Sequence, residues 1–301
     1  MKIMSLSFTK HYQIKKGVAI GFANIPIDEN EIQAFICPFL IEKYKYQPLI
    51  LEISERMKNF LRELNNSYIK KNDKINGVKF LDHLHEPNEY HLGYSISNKG
   101  KAVSSFIAND IFSSLRNNAF AKQGFSITNE AHNVLLLVHG IGQDIMSDII
   151  ANVCRDIFAK FTLNECNRLK VPIQIVNIEF YNDKSKLWET AKVELPVFGR
   201  KIILVPSQIL AGTRAFVNRY NWFVSSNYIS KEVMNMDNPP KKMVTQMKNG
   251  TKKAIIKEIY KQYKKPKKEL VNFVIKYVNS LDEFIEYAKI NYPELDLDHL
   301  R

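Results

Sequence analysis

Two aspartates stand four residues apart in the segment GIGQDIMSD, at positions Asp144 and Asp148. If this segment opens a helix, that spacing places both carboxylates on one face. Carboxylate oxygens are ligands that Mg²⁺ and Mn²⁺ prefer. A structural role is equally open at this point, because Asp is favoured at helix N-termini, where it caps free N–H groups. The pair is a candidate metal site or a helix cap.

A second cluster of candidate ligands lies in HLHEPNEYHLGYS, residues 83–95, which holds three of the seven histidines. Glu86 and Glu89 flank Pro87-Asn88, a turn-forming pair that could aim both carboxylates into one cleft. No fixed zinc spacing such as HExxH is present, so a structural zinc site is not indicated, and a polar loop with chance histidines is the alternative. We predict a catalytic, metal-binding set for Mg²⁺ or Mn²⁺ made of Glu86, Glu89, Asp144 and Asp148.

Lys99 and Lys101 follow in GYSISNKGK, just before a predicted helix. Because a helix N-terminus favours anions, we predict that these lysines bind phosphate. Carboxylates for a divalent ion together with lysines for phosphate are the ingredients of metal-assisted phosphodiester cleavage. The sequence has no Glu-x-Lys or Asp-x-Lys tripeptide, which counts against the restriction-endonuclease-like fold in its standard form.

The dipeptide His139-Gly140 suggests a different chemistry. It ends the apolar run NVLLLV, which predicts a buried central strand. A strand ending in His-Gly resembles the α/β-hydrolases, in which this dipeptide helps to build the oxyanion hole. That family also needs a Gly-x-Ser-x-Gly nucleophile elbow later in the chain, and no such pentapeptide occurs. A hydrolase-like enzyme is therefore the less favoured alternative.

The pairing of EPNEYHLGYSISNKGKA, residues 86–102, with GIGQDIMSD, residues 140–148, supports another resemblance. It is similar to a pattern found in uncharacterised prokaryotic proteins encoded near phage-defence genes. The resemblance covers only these two motifs and implies a context, antiviral defence, with no established chemistry. The residues carried over are Glu86, Glu89, Asp144 and Asp148.

Positive charge is concentrated near the C-terminus. Between Lys241 and Lys268 there are eleven lysines and one acid, Glu258, within a chain of net charge +12. Clustered lysines bind nucleic-acid phosphates without sequence preference, although a solvated helix face is the alternative. Arginines and aromatic residues at 214–222 add groups that could hold single strands. The predicted nucleic-acid-binding residues, for DNA or RNA, are Lys241, Lys242, Lys248, Lys252, Lys253, Lys257, Lys261, Lys264, Lys265, Arg214 and Arg219.

The bulk composition is that of a globular protein, with 45% hydrophobic and 25% charged residues among 301. No apolar run reaches the roughly 18 residues that a membrane span needs, and the N-terminus lacks a signal-peptide core. Three cysteines without CxxC spacing predict buried free thiols in a reducing cytosol. We therefore expect a cytoplasmic protein with no membrane partner.

The elements that must position these residues follow from apolar periodicity. Strands are predicted at 17–27, 32–43, 133–140, 171–181 and 200–210, and helices at 47–71, 100–120, 148–160, 213–226, 252–265 and 270–290. The predicted fold is mixed α/β, with a central mixed sheet flanked by helices in residues 1–236. A turn at 237–242 then leads into a lysine-rich helical C-terminal region, residues 237–301.

Two functions from different classes fit this sequence. The first is a nucleic-acid-directed component of a prokaryotic antiviral defence system that acts as a metal-dependent nuclease. The second is a non-catalytic subunit that binds nucleic acid or senses a phage protein and regulates a partner encoded alongside. Only the first predicts a phosphodiesterase activity that EDTA and Asp144→Ala abolish while the fold stays intact.

Overall fold

The computed structural model describes residues 6–28, 31–93, 105–117 and 126–295. The chain forms two compact units. The first comprises residues 1–135, 140–213 and 292–301, and the second comprises residues 136–139 and 214–291. The main segment of the second unit thus begins at Arg214, upstream of the turn at 237–242 that the sequence offers as a boundary.

The first unit holds most of the helices and the longer strands. Its helices are α1 (Phe8–His11), α2 (Pro38–Tyr44), α3 (Pro48–Glu63), α4 (Lys74–Leu81), α5 (Ser105–Asn117), α6 (Ala131–Leu137, which ends in the second unit), α7 (Gln143–Val153) and α8 (Arg155–Leu169). Its strands are β1 (Phe35–Ile36), β2 (Gln174–Asn182), β3 (Leu187–Leu195), β4 (Val197–Phe198), β5 (Arg200–Lys201) and β6 (Leu210–Ala211).

The second unit is helical apart from one short hairpin. Its helices are α9 (Phe216–Val224), α10 (Ser230–Met234), α11 (Ile256–Tyr263), α12 (Val271–Lys276) and α13 (Ser280–Asn291), and its strands are β7 (Val244–Gln246) and β8 (Lys252–Ala254). A π-helical segment, Ser225–Ile229, joins α9 to α10.

Helix α3 shows how the sequence pattern produces a buried stripe. Pro48 opens it at a position where the missing N–H costs nothing. Ile50, Ile53, Met57 and Phe60 recur at helical spacing, and all four are buried. A π-helical segment, Leu64–Ile69, continues it, so the helix predicted at 47–71 is confirmed.

Helices α4 and α5 approach closely at Gly77. A Cβ at this position would collide with a ring carbon of Phe112, which is buried on α5. Only glycine leaves room for that ring, because real carbon contacts are far longer. This contact fixes α5, which also contributes to the wall of the candidate site.

The mixed α/β class predicted from the sequence is confirmed, but the strands are arranged differently. Within the described ranges they form four two-stranded antiparallel sheets, and the predicted central mixed sheet is absent. The largest pairs β2 with β3 over nine residues each, from Gln174↔Leu195 to Asn182↔Leu187. Strand β2 matches the strand predicted at 171–181, whereas β3 was not predicted.

The strand predicted at 133–140 is wrong. Residues 131–137 form α6, and Val134, Leu136 and Val138 are fully buried. A short run that is apolar on every side fits a buried helix as well as a buried strand, so its periodicity could not distinguish the two. His139 and Gly140 follow the end of a helix, and Gly140 has φ +88°.

Several other predicted elements are corrected, and of the strand predicted at 200–210 only β5 and β6, at its two ends, remain. Residues 17–27 contain only isolated bridges, such as Phe22↔Pro206. Of the strand predicted at 32–43, only β1 remains, because Pro38 at a first helical position opens α2. The lysine-rich helix predicted to begin at 252 begins at Ile256, since Asn249-Gly250 forms a hairpin turn that makes 252–254 a strand.

Two predictions from composition can be compared with the structure. The three cysteines, Cys37, Cys154 and Cys166, are free and buried, as expected. No helix in the described ranges is long and apolar enough to cross a membrane.

Candidate functional site

The first unit contains a cavity of about 210 Å³ that three of the predicted carboxylates line. Glu86 enters from the segment after α4, and Asp144 and Asp148 enter from α7. The remaining lining is apolar and consists of Leu84, Ile107, Ile111, Ile145 and Ile149. The structure therefore brings together two motifs that lie more than fifty residues apart in the sequence.

Helix α7 presents its two aspartates to the cavity because of where it begins. Gly142 is the N-cap residue, so Asp144 falls in the first turn and Asp148 one turn later. Neither aspartate occupies the N-cap position, and Asp148 is too far along the helix to cap it. The spacing of four residues places both carboxylates toward the same cavity, as predicted.

Gly142 also leaves space for one of these carboxylates. A Cβ at Gly142 would lie 2.5 Å from Oδ1 of Asp144. The side chain of Asp144 folds back over the helix entrance into the volume that a larger residue would occupy. Glycine at this position is therefore part of how the Asp144 carboxylate is placed.

The segment that carries Glu86 is held against α7 by Asn152. The Asn152 side chain accepts a hydrogen bond from the backbone N–H of His85 (3.3 Å) and donates one to the His85 carbonyl (2.7 Å). It also donates to the Asp148 carbonyl (2.8 Å), and it is fully buried. Asn152 thus fixes the backbone next to Glu86 relative to the turn that carries Asp148.

Glu89 does not enter this cavity. Its carboxylate forms an ion pair with Arg155 Nε at 2.9 Å, and both side chains are buried. Arg155 also donates to the Asn152 Oδ1 (2.5 Å) and to the Glu179 carbonyl (3.0 Å). Of the four predicted carboxylates, Glu89 is the one whose surroundings give it a structural role, because a buried arginine needs a partner charge.

Electrostatics in the cavity disfavour full ionisation of its acids. Burial raises the pKa of Asp148 to about 8, and the neighbouring carboxylates of Glu86, Asp144 and Glu31 add to this. Burial, followed by Glu31 and Asp144, also raises the pKa of Glu86. Asp148 therefore holds a proton at neutral pH unless a cation compensates the negative charge.

Glu31 is an acidic neighbour that the sequence analysis missed. Ile32 donates its N–H to the His91 carbonyl (3.0 Å), and Gly93 donates to the Ile32 carbonyl (3.0 Å), so residues 31–32 run beside 91–93. Glu31 is close enough to raise the pKa of both Glu86 and Asp148. Nothing local in the sequence indicates this, because the pairing joins segments sixty residues apart.

The side chains of His83 and His85 are also directed away from the cavity, toward Glu179. His83 Nδ1 lies 2.9 Å from Glu179 Oε1, and its ring stacks on Trp188 at 5.2 Å. His85 Nε2 lies 3.7 Å from the other Glu179 oxygen. In the ranges that the structure covers, no three His, Cys, Asp or Glu side chains stand close enough to form an assembled metal site. The predicted phosphate-binding residues Lys99 and Lys101 lie outside the described residues.

The predicted nucleic-acid-binding residues all belong to the second unit. Lys248, Lys252 and Lys253 are exposed on the β7–β8 hairpin, and Lys257 and Lys261 are exposed on α11. Lys241, Lys242 and Lys264 are exposed as well, whereas Lys265 is half-buried. Arg219 is exposed on α9, and Arg214 just before it is half-buried. We call the exposed lysines of residues 241–264 the lysine surface.

Some of this charge is locally compensated. Lys261 pairs with Glu258 at 2.7 Å, and Lys265 lies 3.7 Å from Glu269. The hairpin lysines and Lys257 face solvent, so the larger part of the positive charge is exposed. Exposure of this kind suits contacts to phosphate, which act at the surface and need no preformed pocket.

The structure thus defines a mixed α/β protein that is built mainly of helices and contains a carboxylate cavity. A family model described as a domain of unknown function (DUF8370) matches residues 13–218. The match covers more than half of the chain, so the chain belongs to this family. No curated protein and no solved structure matches the chain. The matched range contains Glu86, Asp144 and Asp148, whereas the lysine surface lies beyond it.

Proposed function

We propose that the chain is a nucleic-acid-directed phosphodiesterase that depends on a divalent cation, a metal-dependent nuclease of the cytoplasm. The observation that carries this proposal is the convergence of Glu86, Asp144 and Asp148 on one cavity. A role in prokaryotic antiviral defence is part of the proposal and rests on the resemblance of residues 86–102 and 140–148.

The chemistry of the cavity fits a divalent cation. Burial and the mutual repulsion of the carboxylates together raise the pKa of Asp148, and a bound cation would remove that repulsion. Mg²⁺ usually keeps several waters and needs only one or two protein carboxylates. Glu86 and Asp148 would hold it, with Asp144 at the cavity mouth. The cation would supply charge stabilisation for a phosphoryl oxygen.

The chain's own residues have definable tasks around such a site. Asn152 and Arg155 keep the backbone of residue 85 fixed against α7, so Glu86 and Asp148 both stay at the lining of the cavity. Ile107, Ile111 and Ile149 limit water around the carboxylates and thereby strengthen their interaction with a cation. Asp148, when no cation is bound, holds a proton that it can exchange near neutral pH.

The test is a cleavage assay on single-stranded DNA, duplex DNA and RNA with Mg²⁺ or Mn²⁺, with and without EDTA. We expect cleavage that EDTA and Asp148→Asn abolish and that Glu55→Gln, an exposed carboxylate on α3 outside the cavity, leaves intact. Thermal melts should show wild type, but not Asp148→Asn, stabilised by the cation. Cleavage that Asp148→Asn retains, or a wild-type melting point indifferent to both cations, would contradict the proposal.

A second function, a non-catalytic nucleic-acid-binding subunit, is favoured by one separate observation. The exposed lysines form a surface of the second unit, whereas the residues that line the cavity belong to the first. Such a subunit would bind nucleic acid with full affinity after Asp148→Asn and would cleave nothing under any cation. The same assays therefore distinguish the two functions, and a protein partner encoded alongside would then carry the catalytic step.

A further inference from the structure

We propose that the second unit binds single-stranded nucleic acid by stacking an unpaired base on Trp222 beside Tyr260, with neighbouring lysines on the backbone phosphates. This inference deepens the nucleic-acid-directed function proposed above, because it specifies that the bound nucleic acid is single-stranded. The biological role of this binding rests on that proposed function, whereas the binding itself does not.

Trp222 is unusual among the aromatic residues of α9 because it faces solvent. Trp222 is 45% exposed, whereas Tyr220, Phe223 and Val224 on the same helix are buried. The buried side is anchored by a 2.8 Å hydrogen bond between the Tyr220 hydroxyl and Ser280 Oγ. The orientation of α9 therefore keeps the indole ring outside the core.

The neighbouring helix adds a second ring and fixes its position. Tyr260 on α11 lies 5.5 Å from the Trp222 ring, centroid to centroid, with an angle of 53° between the planes. Asn221 accepts a hydrogen bond from the Lys265 N–H (2.6 Å) and donates one to the Lys265 carbonyl (2.9 Å). These two bonds clamp the residue next to Trp222 to the chain just after α11, so the ring pair is held in place.

Lysines lie beside this ring pair, on α11 and just after it. Lys264 Nζ lies 5.9 Å from the centre of the Tyr260 ring, and Lys257, one helical turn before Tyr260, is exposed. An exposed ring next to lysines matches the way single strands are bound, in which bases stack on aromatic side chains and phosphates contact cations. Duplex DNA offers phosphates to the lysines but no unpaired base to the ring. An isolated exposed tryptophan would carry no such meaning, because single exposed apolar residues are common.

The experiment measures binding of the full chain to a fluorescently labelled oligo(dT) of about 20 nucleotides, longer than one typical single-strand site. EDTA is present, so cleavage cannot contribute to the signal. The variants are Trp222→Leu, which removes the ring, and Trp222→Phe, which keeps an aromatic face. Tyr287→Leu is the matched control, because Tyr287 is an exposed aromatic residue of the same unit on α13, beside the acids Glu283 and Glu286.

We expect Trp222→Leu to weaken oligo(dT) binding about 5- to 150-fold, the range found for loss of one base–aromatic stack. Trp222→Phe and Tyr287→Leu should bind like wild type, and all three should keep the wild-type circular dichroism spectrum. Binding to a duplex of equal length should be weaker than to oligo(dT) and should not change with Trp222→Leu.

Three results would overturn the inference. One is equal oligo(dT) affinity for wild type and Trp222→Leu, which would mean a purely electrostatic surface. Another is tighter binding to the duplex than to oligo(dT). The third is no oligo(dT) binding together with binding to phosphatidylserine–phosphatidylcholine vesicles, which would assign the surface to a membrane. Failure of cleavage alone would overturn the nuclease proposal and leave this inference standing.

Discussion

At the scale of single residues, the acid of the cavity that is easiest to test is Asp148. It is the carboxylate whose pKa burial and its neighbours raise to about 8, from an ordinary value of 3.8. An acid with a raised pKa keeps its proton in the folded state at pH values where the unfolded chain has lost it. Unfolding then releases a proton, so stability falls as pH rises through that window.

We therefore expect wild-type protein in EDTA to lose stability as pH rises from about 4 to about 8, relative to Asp148→Asn, which has no ionisable group there. Glu86, whose pKa is also raised, acts in the same direction in both proteins. The measurement is urea unfolding at several pH values. Glu55→Gln should follow wild type. Parallel pH profiles for wild type and Asp148→Asn would show that folding does not raise the pKa of Asp148.

Glu89 belongs to the same scale but has a different task. Because it is the buried partner of Arg155, Glu89→Ala should lower the free energy of unfolding by about 3–5 kcal/mol, the cost of leaving a buried charge unpaired. Glu89→Gln, which keeps a hydrogen-bond acceptor, should cost less. At a temperature where it is fully folded, Glu89→Gln should cleave like wild type, whereas Asp148→Asn should not. If Glu89→Gln is fully folded but inactive, this would show that Glu89 is needed for cleavage and not only for stability.

At the scale of elements, the sequence predicts that Asp144 and Asp148 share one face of a helix, and it predicts a turn next to Glu86. Both features can be predicted because each is a pattern within a few residues. It did not predict the fold of α6, because a run that is buried on every side carries no periodicity. Strand β3 was not predicted, although apolar and polar residues alternate in LWETAKVEL. The hairpin of β7 and β8 was not predicted either, although Asn249-Gly250 is a typical hairpin turn. Glu31 could not be predicted, because only the tertiary pairing of 32 with 92 brings it to the cavity.

The packing of α4 on α5 allows a stability test of the wall behind the cavity. Gly77→Ala should destabilise by about 1–3 kcal/mol, because the added methyl meets the Phe112 ring. In an open helix the same change would stabilise by about 1 kcal/mol. Gly21→Ala is the control, since its Cβ would come no closer than 3.9 Å to Phe161.

The expected double-mutant result is partial recovery. Gly77→Ala with Phe112→Leu should reduce stability in urea unfolding by less than the sum of the two single changes, because the smaller side chain removes the clash. A stabilising Gly77→Ala would mean that α4 and α5 stand further apart in solution than this packing requires.

At the scale of the whole molecule, the chain separates its charges between its units. The net charge of +12 arises largely from the lysine surface of the second unit, whereas the carboxylates that line the cavity belong to the first. The family match ends at residue 218, so it covers the cavity and not the lysine surface.

The charge separation predicts the salt dependence of nucleic-acid binding. Replacing Lys248, Lys252, Lys253 and Lys257 by Gln should flatten the slope of log K against log salt by up to about 3 for single strands, near 0.7 for each phosphate that is no longer neutralised. A control with the same net charge replaces four exposed lysines of the first unit, Lys15, Lys16, Lys184 and Lys186. If both variants change the slope equally, binding follows overall charge and the surface has no special role.

The backbone at the entrance of α7 has a consequence for how this site could change during evolution. At Gly142, an alanine methyl would collide with a carboxylate oxygen of Asp144 and with no buried wall. A side-chain end moves easily, so the substitution would displace the acid while costing the helix start only about 1 kcal/mol. Selection acting on folding alone would barely register such a change, whereas selection acting on the chemistry of the cavity would remove it. If glycine persists at position 142 within a lineage, this would therefore indicate that the placement of the Asp144 carboxylate has been under selection there.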